Sequence, residues 1–329
     1  MPKSKYRTVY ILCPAQVRTG GPEALHQLAR VLRDLGHDAW MVYVTSPPHP
    51  PASKGSTVTF AEIADPMPSA YQAYDVPHTF RVFDDPDNAV VIPETLPSVA
   101  QSFSRAKPHL WWLSIDNGLR AVGDFGGLSA VRAAGWVNMC QSYYALRHLA
   151  DQDIRGLPLF DYTSPGILLA ARVSGGPIPR CNRILYPARS AWFAGWLKRW
   201  APDLQWQEIV GLSPEQAQRL FLTSKLYVDF GRHPGKDRMP REAAILGCCV
   251  ITGRQGSAAN PFDIPIPDRY KFRDSRLNIP RISRAIRTVL SEYDQRLEDF
   301  VTYRRIIAGE REEFVAQVRR IFEPGAWQE

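Results

Sequence analysis

The sequence predicts an α/β protein of two domains, each built on a parallel sheet, with a cleft where the strand C-termini of the two sheets face each other. Three observations predict it. At about 100–200 residues per domain, 329 residues divide into two cores. Strand, glycine-containing turn and helix alternate from residue 6, and a second series of the same kind starts at residue 183. Between them, residues 155–180 gather Gly156, Pro158, Pro165, Gly166, Gly175, Gly176, Pro177 and Pro179, the composition of a boundary. The expected units are residues 1–170, residues 171–310, and a C-terminal helix and tail over residues 311–329.

Residues 6–12 form a largely apolar, β-rich run, the pattern of a strand buried on both faces. Ala24, Leu25, Leu28, Ala29, Leu32 and Leu35 then recur at helical spacing until Gly36 stops the helix, and residues 39–44 supply the next strand. That βαβ unit implies a parallel sheet. Residues 46–70, with Pro47, Pro48, Pro50 and Pro51, read as a long loop. Further strands are expected over 89–92, 110–115 and 135–139, with helices over 98–105 and 143–149. In the second half, strands are expected over 183–186, 204–209, 225–230 and 249–252, and helices over 190–200 and 241–246. Ser213, Pro214 and Glu215 give another helix its cap, its N1 proline and an acidic first turn. Residues 280–321 read as charged, arginine-rich helix.

Composition removes several classes. Hydrophobic residues at 45% and charged residues at 22% exclude a disordered or fibrous chain. No apolar run approaches the ~20 residues that span a bilayer. The apolar stretch ending at Pro14 is shorter than a typical signal h-region and reads as a strand. Cys13, Cys140, Cys181, Cys248 and Cys249 contain no C-x-x-C pair, so a disulfide framework and a zinc site are not expected, and a reducing cytoplasm is. The net charge of +7 is uneven: residues 1–170 carry 14 basic and 15 acidic side chains, residues 171–329 carry 26 and 18. A balance of +8 in the second half suits an anionic partner, whether nucleotide phosphates, nucleic acid or a membrane surface; a solvated basic face is the plainer reading.

The richest stretch runs from Tyr227 to Thr252. A strand ends near Phe230, a Gly/Pro turn carries His233, Lys236 and Arg238, and a helix starts near Pro240. Helix-start N–H groups beside such side chains make an anion pocket. Gly253, Gly256 and Ser257 after the next strand add backbone donors. An ordinary βαβ turn with solvated charges is the alternative. Asp84-Asp85-Pro86-Asp87 reads as a turn rather than as an acidic metal motif. Trp192, Trp196 and Trp200, spaced by four beside Lys198 and Arg199, are expected to pack on the sheet; an interfacial helix on anionic lipid is the rival reading.

The Tyr227–Thr252 stretch resembles the nucleotide-sugar segment of GT-B glycosyltransferases of the family 4 type, in which a helix carries a Glu, small residues, a Gly and then Val-Ile. Glu242-Ala243-Ala244-Ile245-Leu246-Gly247 and Val250-Ile251 match that pattern, and the resemblance implies that Glu242 binds the donor ribose. The first Glu of the family's pair is replaced by Pro234, with Asp237 or His233 as substitutes. Arg189, after the 182–187 block, matches an Arg that the family turns toward the diphosphate. Gly20-Gly21-Pro22-Glu23 resembles the family's first glycine-rich turn. The matching blocks cover about half the chain in order.

The resemblance implies two Rossmann-like domains in the GT-B arrangement, with the last helix crossing back onto the first domain. It implies transfer of a sugar from a nucleotide-diphosphate sugar to an acceptor hydroxyl, in polysaccharide or glycoconjugate synthesis. The donor site is expected from Arg189, His233, Lys236, Arg238, Glu242, Gly256 and Ser257, with Lys236 and Arg238 stabilising the leaving diphosphate and no cofactor or metal required. The acceptor, a glycan, lipid-linked glycan or other hydroxyl compound, is expected near Gly20, Gly21, Glu94 and Asp116. Glu94 and Asp116 end predicted strands, where a general base sits; a first-turn acid and an Asx turn are the plainer roles. A retaining enzyme needs no dedicated base. The basic stretch Arg269, Lys271, Arg273, Arg276, Arg281, Arg284 and Arg287 offers a surface for an anionic membrane or nucleic acid, consistent with a cytoplasmic protein peripheral to the inner membrane face. The rivals are a nucleotide-sugar epimerase on the same fold, a nucleic-acid-directed glycosyltransferase, and a non-catalytic nucleic-acid or polysaccharide binder.

Overall fold

A computed structural model describes residues 4–45, 57–173 and 178–325; the prolines at 47–51 and Gly175, Gly176 and Pro177 lie outside the described residues. The chain divides into two units, Met1–Asp161 with Glu312–Glu329, and Tyr162–Arg311.

The first unit contains β1 (Thr8–Pro14), α1 (Gly20–Asp34), β2 (Asp38–Val44), β3 (Thr57–Thr59), β4 (His78–Thr79), β5 (Arg81–Phe83) and β6 (Ala89–Pro93). There follow β7 (Lys107–Trp112), α2 (Ile115–Gly123), α3 (Gly127–Ala134), β8 (Val137–Cys140), α4 (Tyr143–Ala150) and β9 (Gly156–Pro158). Seven strands form one parallel sheet in the order β4-β2-β1-β6-β7-β8-β9, and β3 pairs with β5 in a small antiparallel ribbon. Helices cover this sheet, which is why β1 and β6 are buried almost throughout and read as continuous apolar runs. The strand order reverses between β1 and β6, so the turns after those two strands diverge at the C-terminal edge of the sheet.

The second unit contains α5 (Pro165–Val173), β10 (Cys181–Pro187), α6 (Ala191–Trp200), β11 (Gln205–Ile209), α7 (Pro214–Thr223), β12 (Ser224–Asp229), α8 (Arg238–Ile245) and β13 (Cys249–Thr252). It continues through α9 (Ile279–Ser291), α10 (Tyr293–Leu297) and α11 (Val301–Ala308). Its four parallel strands run β11-β10-β12-β13, with the switch point between β10 and β12. Ser213 caps α7 as its sequence foretells, and Gln216 answers it in a reciprocal capping box. The last helix, α12 (Glu310–Phe322), belongs to the first unit from Glu312 onward. There Phe314 stacks on Trp111 and Phe322 on His109, with ring centroids 6.3 and 5.6 Å apart, and the Phe160 N–H donates to Gln317 Oε1 at 2.7 Å.

Several expectations change. The helix expected over 98–105 is a short 3-10 turn, Pro97–Ser102. It stops because the Asp84 carboxylate takes the backbone N–H groups of Ser104, Arg105 and Ala106, which then cannot continue a helical ladder. Asp84 thus ties a turn together. The boundary segment also holds β9 and α5. On α6 the core stripe is Phe193, Ala194 and Leu197, while Trp192 and Trp200 are each 58% exposed. The tryptophans lie one position, about 100° of helix, before that stripe, so the expected packing of all three on the sheet does not occur. Trp196 is half-buried, with the Arg276 guanidinium 3.7 Å from its ring centroid.

Candidate active site

At the switch point of the second sheet, Arg189 leaves the end of β10 and reaches Asp229, the last residue of β12. Its Nε donates to Oδ1 at 3.2 Å and its Nη2 to Oδ2. Gly231 makes room: a Cβ there would stand 2.5 Å from Arg189 Cγ. Asp229 is fully buried and also accepts from Tyr227 Oη, Ser190 Oγ and the Gly231 N–H, at 2.7, 2.9 and 3.1 Å. Burial alone raises its carboxyl; the neighbouring His233 and Arg189 outweigh that and hold it below the usual range. For Arg189 burial again works against the charge, and the bond to Asp229 outweighs it, so the guanidinium stays protonated.

Asp237, just before α8, joins the same cluster. It lies 2.6 Å from His233 Nδ1 and 3.1 Å from Arg189 Nη1. A second cluster follows: Lys236 Nζ and Arg241 Nη1 lie 2.9 and 3.1 Å from the two oxygens of Glu310. Glu310 also accepts from the Thr163 N–H and hydroxyl, each at 2.9 Å. Burial raises the Glu310 carboxyl, but Arg241 and Lys236 draw it below its ordinary value. Arg241 links the clusters by donating from Nε to Asp237 O and from Nη2 to Lys236 O. Arg238 and Glu242 pair across one turn of α8 at 3.3 Å.

Of the residues expected at the donor site, Arg189 and His233 meet at Asp237, Lys236 is joined to them through Arg241, and Arg238 and Glu242 pair with each other on α8. Asp237 is among the residues that the sequence offers; the sequence does not reveal the other carboxylates that answer those cations, Asp229 and Glu310. Glu310 is about 70 residues away in the chain, and no local spacing points to it. Ser257 does not present a free donor. The Ser257 N–H donates to His233 O at 2.9 Å and its hydroxyl to Gly235 O at 2.6 Å. Gly256 has φ +58°, and a Cβ on it would lie 1.9 Å from His233 O. Both residues clamp the 231–237 loop from below.

In the first unit, Gly20 and Gly21 open α1 after β1, and an added Cβ on Gly21 meets Leu113 Cδ1 at 3.6 Å. The Leu113 N–H donates to Glu94 Oε2 at 3.2 Å. Glu94 is 4% exposed, and burial pushes its carboxyl up to about 8 against the pull of nearby backbone N–H groups. It is packed against Gly118, where a Cβ would stand 2.9 Å from Glu94 Cβ and 2.7 Å from the Trp112 ring. Asp116 lies in the first turn of α2 and accepts from Tyr144 Oη at 3.0 Å. These residues follow the C-terminal ends of β1, β6 and β7. Glu94 supports the α2 entry rather than a helix of its own.

No protein-family model matches the chain, and no curated protein sequence matches it. Solved structures do. Sucrose-phosphate synthase from Thermosynechococcus elongatus superposes with a TM-score of 0.65 at 11% identity, over 96% of this chain and 98% of that one. The pneumococcal O-GlcNAc transferase GtfA, solved with UDP and GlcNAc, gives 0.61 at 10% identity over 96% and 98%. HepE from Anabaena, solved with UDP and glucose, gives 0.58 at 13% identity over 97% and 98%. With two Rossmann-like α/β units on parallel sheets, the chain has the GT-B fold of the glycosyltransferases it resembles.

Proposed function

We propose that the protein is a glycosyltransferase that moves a sugar from a nucleotide-diphosphate sugar to an acceptor hydroxyl. The observation that carries this reading is the cationic cluster at the β10/β12 switch point, beside the N-terminus of α8 and one helical turn from Glu242. Ligands of open α/β sheets bind at such points, and helix N-termini with arginines suit phosphates. Of the three similar proteins named above, one is a sucrose-phosphate synthase and one an O-GlcNAc transferase, and two were solved with UDP.

In this reading Arg189, Lys236 and Arg238 bind the diphosphate, and Glu242 receives the ribose hydroxyls. As the bond from the sugar C1 to the phosphate oxygen breaks, the acceptor oxygen bonds to C1 and the diphosphate leaves with added negative charge. The fixed guanidinium and ammonium groups stabilise that charge without a bound metal, and positioning supplies the rest. Arg189 and Lys236 already hold Asp237 and Glu310, so a diphosphate has to compete with carboxylates for them. Asp116 is the carboxylate nearest an acceptor role, and Glu94 a positioning residue beneath it. The acceptors would be glycans, lipid-linked glycans or other hydroxyl compounds, used in polysaccharide or glycoconjugate synthesis in the cytoplasm.

A second element of the reading is peripheral contact with an anionic membrane. Among the described residues no helix is long and apolar enough to cross a membrane. Exposed Trp192 and Trp200 flank Arg199 and Arg276, which form no ion pairs among the described residues. That mixture suits an interfacial surface.

The test is thermal stabilisation by UDP, GDP, ADP, CMP and their sugars. At one hundred times its Kd a specific ligand adds about 2.7 kcal/mol. A shift by one nucleotide class that is lost in Glu242→Ala supports the donor site. No shift by any nucleotide at millimolar concentration, with salt-sensitive binding of RNA or DNA instead, would overturn the reading.

A further inference from the structure

The N-terminal edge of the second sheet carries a cavity of about 560 Å³. It opens where β10, β12 and β13 begin, at Arg180, Lys225 and Gly247. The candidate donor site is at the other ends of these strands, about 20 Å away for a six-residue strand. The volume falls within the range of small-molecule sites.

Three cations line this cavity, and among the described residues none of them forms an ion pair. Arg180 spends its donors on neutral carbonyls, from Nη1 to Phe221 O and Ser224 O at 2.8 and 2.7 Å and from Nη2 to Leu246 O. Lys225 Nζ donates to Leu290 O at 3.3 Å. Arg304 Nη2 donates to Leu297 O at 3.0 Å, while its Nη1 is buried without a partner. The Tyr293 ring stands between two of these charges, 6.0 Å from Arg180 Cζ and 5.6 Å from Lys225 Nζ, with its hydroxyl fixed on Gly247 O at 2.6 Å. Asp294 is the single carboxylate among the lining residues. Burial and the charge of Arg180 both weaken protonation of Arg304.

Like charges gathered in a partly desolvated basin repel one another, and an anion among them relieves that repulsion. The contrast with the donor site is sharp, since every cation there is matched by a carboxylate. We propose that this cavity is a second ligand site, which binds a phosphate dianion, free or carried by a small organic molecule, independently of the nucleotide. Arg180, Lys225 and Arg304 hold the phosphate; Leu222 and Leu297 offer an apolar wall to an organic part. Arg180 also holds three backbone carbonyls at the ends of α7 and α8 and the start of β12, so Lys225 and Arg304 are the residues to vary.

The experiment is calorimetric titration of the full-length protein with inorganic phosphate, glucose 6-phosphate and glucose, with and without saturating UDP. Binding of phosphate or the ester but not of glucose, unchanged by UDP, is expected. Lys225→Met and Arg304→Met, checked for folding by circular dichroism, should each weaken it at least tenfold. Tighter binding of the ester identifies an organic phosphate as the ligand, and equal binding identifies phosphate itself. Absence of binding by wild-type protein at 10 mM phosphate or ester (about an ordinary upper screening concentration), displacement by UDP, or full binding in both variants would overturn the proposal. The wild-type titration decides even if a variant fails to fold.

Discussion

Asp229 fixes Arg189 across the switch point of the second sheet, with Arg189 Nε 3.2 Å from Oδ1 and the guanidinium stem lying directly over Gly231. The contact joins the ends of two neighbouring strands whose outgoing turns diverge, so it ties the turn after β10 to the loop that carries His233 and Lys236. A methyl group at Gly231 would meet Arg189 Cγ at 2.5 Å and Cδ at 2.7 Å. Because the obstruction is a flexible side chain, Arg189 can swing away at the expense of its bond to Asp229. Gly231→Ala should therefore fold, lose about 1–3 kcal/mol of stability, and bind the nucleotide at least tenfold more weakly. Unchanged nucleotide affinity would show that Arg189 plays no part in binding.

Gly256 is the opposite case. Its added Cβ would fall 1.9 Å from the backbone oxygen of His233, and its φ of +58° disfavours other residues. Backbone cannot swing aside. Gly256→Ala should displace the whole 231–237 loop and lower stability by more than about 2 kcal/mol, the usual scale of forced backbone strain. Chemical denaturation of the variant checks this, and a loss below 0.5 kcal/mol (roughly the effect of a neutral surface change) would contradict it.

Asp237 competes with any anion for the same cations, since it holds both Arg189 and His233. Its side chain is 17% exposed, whereas that of Asp229 is wholly buried, so Asp237 is the partner that can give way. Asp237→Asn removes one negative charge and should tighten nucleoside diphosphate binding several-fold while leaving the Asp229 bond in place. Titration with the diphosphate and with the free nucleoside separates the effects: only the diphosphate should gain.

How much of this was legible beforehand follows from the range of each interaction. The βαβ rhythm, the Ser213 cap and the Gly/Pro turn that carries His233 and Lys236 after β12 are local patterns, and each appears where its spacing places it. Glu310 and Thr163 complete the Lys236 cluster from distant parts of the chain, which no local pattern announces. For Glu94 at its strand end the sequence leaves a general base and a first-turn helix acid both open; its carboxyl accepts instead from the Leu113 N–H just past β7, a contact no local spacing announces. The tryptophan line has perfect helical spacing, yet spacing alone does not say which stripe of α6 faces the sheet, and Phe193 and Leu197 occupy that place.

Glu94 makes stability depend on pH. Its carboxyl stands at about 8 in the fold against an ordinary 4.5, because burial penalises the charged form. Between those values the folded chain holds a proton that the unfolded chain has lost, so the contribution is complete below about 4.5 and is lost as pH rises through 8. Glu94→Gln keeps an acceptor for Leu113 and cannot ionise. At pH 5 it should match the wild type closely; at pH 8.5 it should be more stable by on the order of 2–4 kcal/mol. Parallel pH profiles for the two proteins would place the proton elsewhere.

Trp192 and Trp200 offer the sharpest separation of a surface role from a folding role. Each is 58% exposed and outside the core stripe of α6, so Trp192→Ala with Trp200→Ala should change stability by less than about 1 kcal/mol. If the face rests on lipid, the same change removes the aromatic anchors while Arg199 and Arg276 remain, so vesicle binding should fall without disappearing at low salt. Sedimentation with phosphatidylglycerol vesicles and with neutral phosphatidylcholine vesicles measures both parts. Binding confined to the anionic vesicles and weakened by the double variant is the expected result. Equal binding by wild type and double variant would assign any attraction to charge alone, and the tryptophans would then have no role at a membrane.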